Sequence, residues 1–211
     1  MTVWVDASAG ASGDMLLGAL VAAGVPLEPI RAAIDAVAPE PVTLRPETVD
    51  RNGFAATRCH VEIADSVHHR AWRDISTLLG AADLDDEVRR LATAAFERLA
   101  VAEARVHGAD PLDVSFHEVG ALDAIADVVG VCAGFVWLGG DVCVSPVAVG
   151  SGSVTGAHGQ MPVPPPAVAE LLRGCRRSPV RAAPSPVRRP EPRSSPRSPP
   201  PGGPSLRWPS T

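Results

Sequence analysis

VWVDASAGASGDMLLGALVAAG, residues 3–24, falls into three parts whose order sets the fold class. Val3–Val5 is a short apolar run of β-forming residues, Asp6–Asp14 is a turn of small residues carrying two carboxylates, and Gly13–Ala23 has the apolar content of a buried helix, closed by Gly24 and Pro26. A strand that turns directly into a helix is the unit of an α/β protein. In the turn, Gly10 and Gly13 lack the Cβ atoms that would keep a ligand off the backbone, and Ser12 stands where a helix N-cap is expected. The N–H groups that open a helix attract anions, but Asp6 and Asp14 repel them unless a divalent cation lies between. The turn therefore points to metal, or to metal plus phosphate, with Gly10, Ser12 and Gly13 as the phosphate-facing residues.

Outward from this unit the pattern continues to alternate. Leu27–Val37 reads as a second helix, and VTLRPETVDRNGFAATRCHVEIA, residues 42–64, reads as two strands about an Asn52-Gly53 turn, the strongest short hairpin signal in the chain. A helix is predicted over Ala71–Leu79. Leu84, Val88, Leu91, Ala95, Leu99, Ala102 and Val106 then recur in steps of four and three, predicting a long amphipathic helix that ends at His107 and is capped by Gly108. VSFHEVGALDAIADVVGVCAGFVWL, residues 114–138, becomes helical around Gly120, and the stretch from Asp141 supplies a buried strand, a Gly-rich loop and a last helix begun by Pro166. The expected fold is mixed α/β (α+β): strands alternating with helices plus one β-hairpin, in a single compact domain over 1–174.

Charge draws the domain boundary. Residues 1–174 carry 11 Arg against 23 acidic residues, a formal −12, whereas residues 175–211 carry 8 Arg against Glu191 alone, a formal +7. The second segment also holds 11 of the 22 prolines, repeats Ser-Pro and Arg-Pro, and is expected to be a disordered tail. A basic arm for nucleic acid or membrane is the functional reading of such a tail. A high-GC coding sequence read in a shifted frame gives the same composition and is the reading preferred, so no nucleic-acid partner is expected.

Other classes are excluded by what the chain lacks. It has no Lys, which removes a Walker A phosphate loop and Schiff-base chemistry. Cys59, Cys132, Cys143 and Cys175 have no CxxC spacing and read as buried free thiols. A serine hydrolase would need a GxSxG elbow, and none is present. No apolar run reaches the ~18 residues of a membrane span, and the first residues do not form a signal peptide, so a cytoplasmic location without membrane partners is expected.

The densest polar constellation is His117-Glu118-x4-Asp123-x3-Asp127. On a helix Asp123 and Asp127 share a face and repel unless a counter-charge joins them. The same segment carries Gly120, Gly130 and Gly134, which suits close approach by a ligand or by another backbone. Of the six histidines, His60 reads as an exposed strand residue and His107 as a helix-end complement to the dipole. His68 and His69 are plausible loop ligands, and His117 and His158 adjoin acidic or Gly-rich loops and are the better candidates. Imidazole with carboxylate suits zinc, iron and nickel alike.

VDASAGASGDMLLGALVAAG, the HHR segment, AEARVHG, VSFHEVGALDAIADVVG, SPVAVGSG and HGQMPVPPPAVAELLRG occur in the order found in the LarC family, which this chain resembles over residues 2–174. The resemblance implies a CTP-dependent nickel insertase, or cyclometallase, that builds the carbon–nickel and sulfur–nickel bonds of the nickel-pincer cofactor of lactate racemase from a pyridinium bis-thiocarboxylate mononucleotide. Under it, Ni²⁺ would be held by His68, His69, His117 and His158 with Asp6, Asp14, Glu118, Asp123 and Asp127, while catalytic residues stay unassigned. CTP with a divalent cation belongs to a C-terminal domain of the family that residues 175–211 do not resemble. The chain is therefore expected to act with a separately encoded C-terminal CTP-binding part, with homo-oligomerisation left open. A nickel carrier without catalytic activity is the alternative.

Overall fold

The computed structural model describes residues 1–63, 70–116, 122–156 and 159–175 and the backbone of 177–179, all within one compact unit, Met1–Val180. In chain order the elements are β1 (Thr2–Val5), α1 (Gly13–Ala22), α2 (Leu27–Val37), β2 (Val42–Arg51), β3 (Phe54–Ile63), α3 (Trp72–Ala81), α4 (Asp86–His107), α5 (Leu122–Leu138), β4 (Asp141–Val144), β5 (Val147–Val149), β6 (Ser153–Gly156), β7 (Gly159–Pro162), α6 (Pro166–Leu171) and β8 (Arg177–Pro179). The strands form four two-stranded sheets, with β1–β4 and β5–β8 parallel and β2–β3 and β6–β7 antiparallel. The mixed α/β class and the predicted helices and hairpin are all present. Asn52 and Gly53 both take positive φ, 56° and 84°, as the two-residue hairpin turn demands.

Helix α5 is central to this unit. Its Ile125, Val129 and Ala133 join a core with Trp72, Ile75, Leu79, Phe96 and Phe116 from the α3–α4 side. Its Ala126 joins a second core with Leu17, Leu20, Ile30, Ile34, Leu44 and Cys59 from α1, α2 and the hairpin. A helix apolar nearly all round is stable only when covered on most sides, and α1, α2 and α4 all pack on it. The glycines of α5 belong to this packing. Cβ atoms on Gly130 and Gly134 would press on Leu17, Ile30 and Ile34 and on Leu20, so what approaches them is the side chains of α1 and α2 and not a ligand. Gly18 does the same for α1, whose backbone lies so close to the Thr57 carbonyl of β3 that any Cβ there would overlap it.

Three sequence expectations are corrected. The buried face of α4 is Val88, Ala92, Phe96, Ala100 and Ala104 at strict four-residue steps, while Ala95 and Val106 are exposed and Leu91 and Leu99 half-buried. Alanines let α4 approach its neighbours, and Phe96 fills the space between the Trp72 and Phe116 rings, at centroid distances of 6.4 and 6.3 Å. Ala102 is buried on another side of α4, which also packs against α6. The strand from Asp141 is not buried: Val142 and Val144 are 43% and 54% exposed, and Trp4 on the paired β1 is 65% exposed. Of the four thiols only Cys59 is fully buried; Cys132 is half-buried and Cys143 and Cys175 are exposed.

Candidate carboxylate site at the start of α1

The turn between β1 and α1 is braced by its own polar groups. Asp6 Oδ1 accepts the Ser8 N–H at 2.9 Å and the Ser145 hydroxyl at 3.4 Å, and the Ser145 oxygen accepts the Ala7 N–H at 2.8 Å. The Ser8 hydrogen bonds, with help from Ser145, hold the Asp6 carboxyl below the ordinary aspartate range. Ala7 O accepts from both Gly10 and Ala148 at 3.0 Å, which fixes the turn against the start of β5. Asp6 thus builds the loop.

At the far end of the turn Ser12 occupies the N-cap position of α1, but its hydroxyl donates to Asp14 Oδ1 at 2.5 Å and makes no cap bond. The expected N-cap side-chain bond is absent. The opening N–H groups of α1 have no partner inside the helix. The space that Gly13 leaves open is filled by the side chain of Asp127 from α5, which a Cβ on Gly13 would overlap.

Asp127 is the outlier of the site. Burial first, and then the charges of Asp14 and Asp123, push its carboxyl up to about 6 from an ordinary 3.8. Its Oδ1 is shut off from solvent with no hydrogen-bond partner among the described residues. Asp123 lies exposed one turn earlier, its Oδ1 accepting the Ala124 N–H. Asp14 and Asp123, from the two segments singled out in the sequence, are thus near enough to act on Asp127 through space. Cys59, which sequence reasoning did not place here, is near enough that Asp127 adds to the rise that burial causes in its thiol. Its position on the inward face of β3, two residues from Thr57 and Val61, is the signal that could have placed it.

Carboxylates alone do not make the centre: among the described residues no three His, Cys, Asp or Glu side chains are grouped to hold a metal ion. The histidine candidates His68, His69, His117 and His158, together with Glu118, lie outside the described residues. Of their described neighbours, Ala71 bridges Ser115, and the Phe116 N–H donates to the Arg70 carbonyl at 3.3 Å. The two remaining histidines have local roles. His60 is half-buried, not exposed as expected, with Nε2 2.7 Å from Glu47 across the hairpin, and His107 lies 3.4 Å from Glu103 one turn back.

A family model described as nickel insertion protein matches residues 3–189. The chain is 74% identical over 174 residues to the pyridinium-3,5-bisthiocarboxylic acid mononucleotide nickel insertion protein of a Nocardioides species, a match covering 82% of this chain and 44% of that protein. It is 46% identical over 176 residues to a putative nickel insertion protein of Geotalea uraniireducens (82% and 45% covered), and 46% identical over 171 residues to one of Synechococcus elongatus (80% and 42%). The chain thus spans less than half the length of these relatives. No solved structure matches it. Among the described residues no helix is long and apolar enough to cross a membrane.

Proposed function

The chain belongs to the nickel insertion protein family, and from that premise we propose that it is the nickel-receiving part of an insertase that places Ni²⁺ into pyridinium-3,5-bisthiocarboxylic acid mononucleotide. The observation that carries this reading is the buried Asp127 carboxylate where α1 meets α5, one of its oxygens without a partner among the described residues and the charges of Asp14 and Asp123 acting on it. Clustered carboxylates with an orphaned oxygen are a cost to the fold that a bound cation removes. Nickel is the substrate here. Its nitrogen ligands would come from His69 and His117, with His68, His158 and Glu118 as further ligands. Imidazole nitrogen with carboxylate oxygen is a donor set that binds nickel.

In this reading Asp6 positions the turn, Asp14 and Asp127 bind the incoming cation, and the start of α1 faces the precursor. CTP would be used by the part of the longer relatives that this chain does not match. The alternative is a nickel carrier that does not take the precursor.

Calorimetry with Ni²⁺ on the whole chain tests the site. Weakened binding is expected in Asp127→Asn, Asp14→Asn and at least one of the His69→Ala and His117→Ala variants; unchanged affinity in all four overturns the assignment. Insertion is then assayed with precursor and CTP, with and without the C-terminal portion of the Nocardioides relative. Activity only with that portion present supports the insertase. Nickel binding without precursor binding in either mixture selects the carrier.

A further inference from the structure

A groove of 640 Å³ lies between α1 and the β2–β3 hairpin, lined by Ser12 and Asp14 at the start of α1 and by Arg51 and Arg58 on the hairpin. Val49 pairs with Ala56 across the ladder, so Arg51 and Arg58, each two residues from one of them, lie on the same hairpin face. The opposite wall is α1 at Gly18, Ala19 and Ala22, whose small side chains leave the volume open.

These arginines differ from all the others of the domain but Arg98, which lies on α4, outside this groove. Arg45, Arg70, Arg73, Arg90, Arg105 and Arg173 face carboxylates, and Arg31 and Arg89 donate to backbone carbonyls. Arg51 has no ion pair or hydrogen bond among the described residues. The residue opposite Arg58 is Glu47, but His60 at 2.7 Å and Arg45 at 3.8 Å already engage its carboxylate, and Arg58 influences it only through space. In a region of formal charge −12, two guanidinium groups without a close carboxylate, one on each side of the Val49–Ala56 pair along one groove wall, are an unspent anion site.

The geometry points to this groove as the phosphate subsite for a pyridine mononucleotide: Arg51 and Arg58 take the phosphate, and the ring lies toward Asp14 and the carboxylates beyond it. The identity of the ring rests on the function proposed above; the phosphate site rests on the arginines alone. The groove is dipolar, cationic at the hairpin and anionic at Asp14, which matches a molecule with a phosphate dianion at one end and a cationic ring or metal at the other. Its volume suits a ligand of mononucleotide size. Guanidinium–phosphate contacts supply the affinity. The start of α1 thereby keeps its carboxylates for the cation, in place of the phosphate expected at Gly10, Ser12 and Gly13.

The probe is nicotinate mononucleotide, with its dephosphorylated riboside as control, titrated against the whole chain and against Arg51→Gln, Arg58→Gln and the double variant, with Ni²⁺ titrated separately. The mononucleotide is expected to bind more tightly than the riboside, to weaken about tenfold for each arginine removed, and to weaken with added salt, while Ni²⁺ affinity stays the same. Equal binding of nucleotide and riboside, or full nucleotide affinity in the double variant, overturns the subsite. Arginine-dependent nucleotide binding without any Ni²⁺ binding upholds the subsite and removes the nickel reading instead. Both side chains are exposed, so the Gln variants fold.

Discussion

Replacing Asp127 by Asn should stabilise the metal-free protein at neutral pH and leave it unchanged in acid. Asp127 titrates near 6 in the fold against an ordinary 3.8. Below 3.8 the carboxyl is neutral in both folded and unfolded chains and contributes nothing. Between 3.8 and 6 the folded chain holds a proton that the unfolded chain has lost, so stability falls as pH rises, and above 6 the full deficit is present. A shift of about 2 units corresponds to about 3 kcal/mol, which screening of a half-buried group reduces to about 1.5 kcal/mol. Asparagine keeps the shape beside Gly13 and removes the charge. For a domain of this size Tm should rise by about 3–6 °C at pH 7.5, with the gap closing toward pH 4. Thermal melts of both proteins across that range measure it. An Asn variant no more stable than the parent at pH 7.5, or a gap that does not change with pH, would refute the account of Asp127 as an uncompensated charge. With saturating Ni²⁺ the order should reverse, because the cation then binds only the parent carboxylate.

Gly18→Ala should destabilise strongly, since its Cβ would run into the Thr57 backbone carbonyl and part α1 from β3; about 2–4 kcal/mol is expected, read as a lower midpoint in urea. Arg89→Leu should cost about 2–3 kcal/mol, because Arg89 donates to the carbonyls of Leu79, Gly80, Ala82 and Leu84 and closes the end of α3. Hydrogen exchange should then show the last turn of α3 losing protection before α4 does, and uniform loss across both helices would contradict that role.

Local signals were legible in the sequence. The Asn52-Gly53 turn needs two positive φ angles that these two residues tolerate, and the second helix read over Leu27–Val37 has the bounds of α2. The buried face of α4 was misread because counting Leu and Val finds the greasiest stripe, whereas close helix packing selected the alanines beside it. The exposure of β4 was hidden for a related reason: an apolar strand looks the same whether or not something covers it. At the site, the Asp123–Asp127 spacing was visible on one helix. Asp14, 113 residues earlier, could be joined to it only by the packing of α1 on α5, and Gly13 marks that contact by the room it gives Asp127.

The open pair β1–β4 bears on how the protein can be handled. Among the described residues these strands bond only to each other, so each keeps one row of main-chain donors and acceptors unpaired beside exposed Trp4, Val142 and Val144. Such a rim is a template for strand addition by another molecule. The Met1 carbonyl accepts the Asp141 N–H at 3.2 Å, so the ladder starts at the first residue. A purification tag fused ahead of Met1 therefore extends an edge strand, and concentration-dependent association measured on such a fusion would report the tag as much as the protein; a tag at the other end leaves this rim as the sequence built it.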